Sequence, residues 1–108
     1  MFNYSSIKVI FGEHMTVTVK LIGALRYISG KNQLSINYQE CPSLKELINI
    51  ITKEIPELKP SLISQQPDKS KANVLILVNG REISVLNGFE TKLNDGDEIV
   101  FVPVVHGG

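Results

Sequence analysis

Leu93-Asn94-Asp95-Gly96-Asp97-Glu98-Ile99-Val100-Phe101-Val102-Pro103 is the stretch on which the fold turns. Leu93 to Asp97 reads as a tight turn, because short polar side chains bond their own backbone and glycine takes positive φ without strain. Glu98 to Val102 then forms an apolar strand. Phe101 and Val102 point to opposite faces of it, so one belongs to a core and the other can join a surface patch. Pro103 ends regular pairing, since it has no amide to donate. Val104-Val105-His106-Gly107-Gly108 follows as a flexible extension.

Working back toward the N-terminus, Val74-Leu75-Ile76-Leu77-Val78 is a continuous β-type run, the pattern of a central strand buried on both faces. Asn79-Gly80 suits a two-residue type I′ turn, which predicts an antiparallel return over Arg81 to Val85. Asn87-Gly88 marks another turn. Between Pro56 and Asn73 there are three prolines and no sustained period, so this is expected to be the most mobile loop, with Leu58, Leu62 and Ile63 packing a short helical turn. Ser43-Leu44-Lys45-Glu46 is a capping box. Leu44, Leu47, Ile48, Ile51 and Ile55 continue from it on one helical face until Pro56 stops the helix. Cys41, just before the cap, reads as a small buried thiol, with no basic cluster to stabilise a thiolate.

Thr16 to Leu21 alternates polar and apolar residues, and so does Gln33 to Tyr38; the two read as a hairpin. Its long connection contains Leu25, Tyr27 and Ile28, which predicts that part of it folds back on the core. Residues 1–14 look like an appendage, either an added edge strand or an over-long start before Met15. The pattern as a whole is α+β: a mixed sheet of four to five strands covered by one main helix.

At 108 residues and 12.0 kDa, a single core is the default, and 43% hydrophobic residues are enough to build it. Eleven basic residues balance eleven acidic ones, so nothing in the net charge recruits nucleic acid or an anionic membrane. One cysteine excludes an internal disulfide and any metal site built from several thiolates. No apolar run approaches the ~20 residues of a membrane span, and the N-terminus lacks the features of a signal peptide. A reducing, cytoplasmic setting is the expectation.

Conventional catalytic motifs are absent: no HExxH, P-loop, CxxC or G-x-S-x-G occurs, and both histidines lie outside the apparent core strands. The unusual feature is the ending His106-Gly107-Gly108 directly after a strand and a proline. A terminal carboxylate, with a pKa of about 3.3–3.7, is an anion at neutral pH and a poor electrophile. Converting it to an acyl-adenylate supplies a leaving group, and a sulfur or amine nucleophile can then attack the acyl carbon. Glycines at the last two positions suit threading through a narrow channel, and Pro103, Val104, Val105 and His106 would form the extended reach of the tail. Taken alone, Gly107-Gly108 is equally the frayed end of a chain or a cloning remnant, and a histidine in a solvated tail is most simply inert.

Context changes that weighting. The strand Leu93 to Pro103 with its Asp95-Gly96-Asp97-Glu98 turn, the ending Val-Val-His-Gly-Gly, the Val78-Asn79-Gly80 turn and the opening Val19-Lys20-Leu21-Ile22-Gly23-Ala24-Leu25-Arg26 together resemble the β-grasp sulfur carriers and ubiquitin-like modifiers. That group includes the molybdopterin synthase small subunit, the thiamine-pathway sulfur carrier, the ubiquitin-related modifier and the small archaeal modifiers. The resemblance covers Met15 to Gly108. It implies a ubiquitin-like β-grasp domain over residues 15–102 and a flexible tail over 103–108. It further implies that an E1-like enzyme adenylates Gly108 with ATP, the chain itself binding no cofactor or metal and acting as co-substrate, not catalyst. A desulfurase or rhodanese-type sulfur donor, the large subunit of molybdopterin synthase or target-protein lysines are then the implied partners. The products would be a thiocarboxylate or an isopeptide, and tRNA thiolation or molybdenum cofactor biosynthesis the possible destinations.

Pro103 is followed by Val104, where synthase small subunits and many archaeal relatives have a second proline; the His106-Gly107-Gly108 ending is closer to the ubiquitin-related modifier. Ile83, Phe101 and Val102 are the candidate docking patch. Lys69 and Lys71 read as a solvated loop that would supply acceptors if the chain conjugated to itself. Two further readings stand beside the carrier: a molybdopterin synthase small subunit, and a ubiquitin-fold binding adaptor with no terminal chemistry.

Overall fold

The computed structural model describes residues 15–38, 40, 42–63 and 74–104. Residues 1–14, Cys41, Lys69, Lys71, Val105, His106, Gly107 and Gly108 lie outside them. So do the expectations of an N-terminal appendage, a buried thiol, the 64–73 part of the mobile loop expected from Pro56 to Asn73, and the terminal tail.

Strand β1 (Met15–Leu21) is followed by a short helix α1 (Ala24–Ser29) and strand β2 (Gln33–Tyr38). The main helix α2 (Leu44–Glu54) leads through a 3₁₀ turn (Pro56–Leu58) into one turn of helix, α3 (Lys59–Leu62). Strands β3 (Val74–Val78), β4 (Arg81–Glu82) and β5 (Glu98–Pro103) complete the set. They form one five-stranded sheet in the order β2-β1-β5-β3-β4. β1 and β5 are parallel, and every other pairing is antiparallel. The mixed sheet with one main helix is therefore as the sequence predicts.

Register explains the core. Val19 sits beside both Leu34 and Ile99, and Phe101 beside both Leu21 and Ile76, so these side chains share one face of the sheet. That face is sealed by Leu44, Leu47, Ile48 and Ile51 of α2, all buried. The helix starts where it does because the capping box is closed in both directions: the Glu46 amide donates to Ser43 Oγ at 3.2 Å, and the Ser43 amide donates to Glu46 Oε1 at 2.8 Å.

Two expectations change, and a third, that part of the β1–β2 connection folds back on the core, is borne out at Leu25. β3 is not buried on both faces, since helices cover only one side of the sheet and leave Leu75 38% exposed; the central strand is β5. The return after Asn79-Gly80 pairs only over Arg81 and Glu82 and then curls into a 3₁₀ turn over Ile83–Val85. Ile83 and Leu86 are three residues apart, and this curl brings both to the core, whereas a strand would send them to opposite faces. Finally, part of the β1–β2 connection is helical: α1 buries Leu25, and Gly30, left-handed at φ 74°, closes it by donating to the Arg26 carbonyl at 2.8 Å.

The turn before β5 is tied to the β3–β4 turn. Asn79, at φ 52°, donates from Nδ2 to Asp97 Oδ1 and accepts from the Glu98 amide, both at 2.9 Å. Asp97 Oδ2 accepts from the Asn94 amide at 2.7 Å, and Asp95 Oδ1 accepts from the Thr16 amide at 2.9 Å. The start of β1 and both turns are thereby fixed to the beginning of β5.

Candidate functional site: the root of the C-terminal tail

β5 delivers the tail, and its far end is gripped from both sides. On one side Val74 lies opposite Pro103. On the other, the β1 ladder runs one residue past its strand, with the Ile22 amide donating to the Phe101 carbonyl at 3.3 Å. Gly23 comes next, at φ 58° and ψ −128°, a conformation that side chains with a Cβ rarely adopt. A Cβ built there would stand 3.3 Å from Cγ of Pro103. The β1–α1 corner and the proline that begins the tail are thus packed together, and Gly23 is the residue that lets them meet. Sequence reading did not single Gly23 out, because the contact exists only once β1 and β5 are known to be neighbours. From this root Val104 leads away 40% exposed.

The outer face of the sheet runs up to the same root. Leu75 is registered with Val102 and Leu77 with Val100, and Ile22 follows at the end of β1. Together they form a partly exposed apolar strip across β3, β5 and β1. Lys20 and Glu98 border it as an ion pair of 2.9 Å. Of the expected docking patch only Val102 belongs here. Ile83 is 7% exposed and Phe101 not at all, since both face the helix-covered side, so they pack the core instead. Leu75, Leu77, Val100 and Ile22 accompany Val102 on the outer face. Strand alternation could have found Val100 as the outward neighbour of Val102, but Leu75, Leu77 and Ile22 required the cross-strand register.

Among the described residues no group of acidic, histidine or cysteine side chains is placed to hold a metal ion. No helix among them is long and apolar enough to cross a membrane.

A helix held against a mixed sheet, with the first and last strands parallel at its centre and a tail leaving the last, defines a ubiquitin-like β-grasp domain. A profile of the ThiS family matches residues 19–108, and the chain belongs to that family, one of ubiquitin-like sulfur carriers and protein modifiers. It is similar to ubiquitin-related modifier 1 of Schizosaccharomyces pombe, with 28% identity over 97 residues that span 87% of this chain and 100% of that protein. The solution structure of small archaeal modifier protein 1 from Methanosarcina acetivorans matches with a TM-score of 0.72 and 32% identity, over 90% of this chain and 100% of that one. A chain from the complex of subunits 1 and 2 of the molybdopterin-converting factor of Helicobacter pylori matches with a TM-score of 0.56 and 28% identity, over 87% of this chain and 100% of that one.

Proposed function

We propose that the chain is a carrier whose working group is the Gly108 carboxylate. An E1-like enzyme would bring that carboxylate against the α-phosphate of ATP; the new acyl–phosphate bond releases pyrophosphate and leaves an acyl-adenylate. The outer sulfur of a cysteine persulfide on a desulfurase or rhodanese-type donor then attacks the acyl carbon and AMP departs, giving an acyl disulfide; a second thiol attacks the donor cysteine's sulfur, forming a disulfide with it and releasing the Gly108 thiocarboxylate. With a lysine amine of a target protein as nucleophile, the same displacement gives an isopeptide. The observation that carries this reading is that the family match runs through Gly108, five residues beyond a strand end held by Gly23 and Val74.

In this scheme each part of the root has a task. Pro103, Val104, Val105 and His106 span the distance into the activating enzyme, and Gly107 passes its narrowest point. Gly23 is a positioning residue that sets the direction in which Pro103 leaves the sheet. The apolar strip of Leu75, Leu77, Val100, Val102 and Ile22 is the surface on which the activating enzyme docks, since it adjoins the tail and lacks a partner within the described chain.

Deleting Gly108 is expected to abolish ATP–pyrophosphate exchange by the cognate activating enzyme while leaving the thermal unfolding midpoint unchanged. Full activity of the deletion in the cell would overturn the carrier reading in favour of an adaptor that works through its surface alone. Mass spectrometry of protein from the native host should then find either sulfur in place of oxygen at Gly108 or, after trypsin, the segment Leu93 to Gly108 left on target lysines, since Lys92 is the last tryptic site.

A second reading, the small subunit of a molybdopterin synthase, is favoured by the likeness to the two-subunit molybdopterin-converting factor. Consumption of the thiocarboxylate by a pterin precursor and a large subunit would select it, and laddering of cellular proteins would select modification.

A further inference from the structure

β2 is an edge strand along its whole length, bonded to β1 on one side and to no strand of the described residues on the other. The Leu21 amide donates to the Asn32 carbonyl at 3.0 Å. Bonded pairs recur at every second residue of an antiparallel ladder, so Leu34 and Ile36 exchange bonds with Val19 and Val17. Gln33, Ser35 and Asn37 therefore turn their N–H and C=O groups outward. Those groups have no backbone partner among the described residues. Natural sheets blunt such an edge with lysine, proline, a bulge or a very short strand. Gln33-Leu34-Ser35-Ile36-Asn37-Tyr38 has none of these, and its register with β1 is unbroken over six pairs.

Beside the edge lies an open groove of about 710 Å³, walled by Gln33, Leu34 and Ser35, by the turn after α1, and by the end of α2. Leu34, nearly buried, and Ile55, half-buried, give it an apolar floor. Arg26 and Lys31 stand at its rim, exposed and without an ion pair to any described residue. Glu54, the carboxylate among its lining residues, already has an interaction of its own. A strand edge and two cations that have no partner strand or ion pair among the described residues, set beside an apolar floor, select for one kind of occupant.

We propose that this edge captures an extended acidic segment of a partner protein as a sixth strand, paired through Gln33 and Ser35, with an apolar side chain over Leu34 and Ile55 and carboxylates on Arg26 and Lys31. The main-chain bonds supply affinity, and the two cations supply the preference for acidic over basic sequence. The surface shares no residue with the outer-face strip or with Gly23 and Pro103 at the root, so partner capture here would be independent of the chemistry proposed for Gly108.

The test is an NMR titration of the full-length, nitrogen-15-labelled chain with an acetylated octapeptide, Asp-Asp-Val-Ile-Val-Ile-Asp-Asp, against a control with lysine in place of aspartate. Saturable shifts of the Gln33, Ser35 and Asn37 amides are expected with the acidic peptide only, weakening as salt is raised. Lys31→Glu should lower the affinity about tenfold, and Ser35→Pro, which removes an outward donor but no ladder bond, should abolish it with the fold intact by circular dichroism. Adenylation of Gly108 should be unchanged in Lys31→Glu, so failure of the carrier reading and failure of this one are told apart. The proposal is overturned if both peptides fail to bind at millimolar concentration, if the shifts fall on Val100 and Val102, or if Lys31→Glu binds as well as the parent. Concentration-dependent shifts of the β2 amides without peptide would equally overturn it, by showing that a second copy fills the edge.

Discussion

The β2 and β4 edges bound the same sheet and end it in opposite ways. β2 runs for six residues with its outward groups unpaired among the described residues, whereas β4 stops after two and curls into 3₁₀ turns that leave no ladder for a neighbour to extend. The apolar spacing decides which occurs. Leu34 and Ile36 are two residues apart and reach the core only from an extended chain. Ile83 and Leu86 are three apart and reach it from a tight turn, which carries the backbone away from the sheet. Protection of the β4 edge is thus set by where two aliphatic side chains fall, and the two residues that do pair, Arg81 and Glu82, are both charged, whereas β2 carries no charge.

The contrast is broken most severely by proline at an inward-bonded position of β2. Leu34→Pro loses a ladder bond to Val19 along with a core side chain, and should cost well over about 3 kcal/mol and unfold the domain in chemical denaturation. Ser35→Pro, one residue away, should cost less than about 1 kcal/mol in the same experiment, because its amide faces outward. Equal losses would show that the assigned direction of bonding is wrong. On the β4 side, Asn79→Ala removes two side-chain hydrogen bonds and places alanine at positive φ, so a loss of about 1–2 kcal/mol is expected, with amide exchange accelerated at Arg81 and Glu82. The smallest effect belongs to Lys20→Ala. Its ion pair with Glu98 is more than 40% exposed at both ends, and the unfolding midpoint should barely move.

What the sequence discloses of this fold is what depends on neighbours within a few residues. The Ser43 capping box, the positive-φ turn at Asn79-Gly80 and the alternation over Thr16 to Leu21 are local chemistry, and each appears where its residues predict. Arg81 to Val85 misleads because it alternates like a strand and also carries the three-residue spacing of a turn, and burial of Leu86 with Ile83 favours the turn. α1 is only six residues long, too short for periodicity to reveal, although Gly30 marks its end. The outer apolar strip and the Gly23–Pro103 contact both depend on β1 lying beside β5, a long-range pairing that no local pattern encodes. The terminal Gly107-Gly108 signal is the reverse case: it is visible in sequence alone and gains its meaning from the strand that precedes it.

β5 comes last of the strands in chain order and lies in the middle of the sheet. A nascent polypeptide that has not yet reached Glu98 therefore holds two hairpins with nothing to join them. Ribosomes must translate almost to Pro103 before the layer can close. Val100 and Val102 lie on that same strand, so the outer apolar strip is complete only once the last strand has taken its place between β1 and β3.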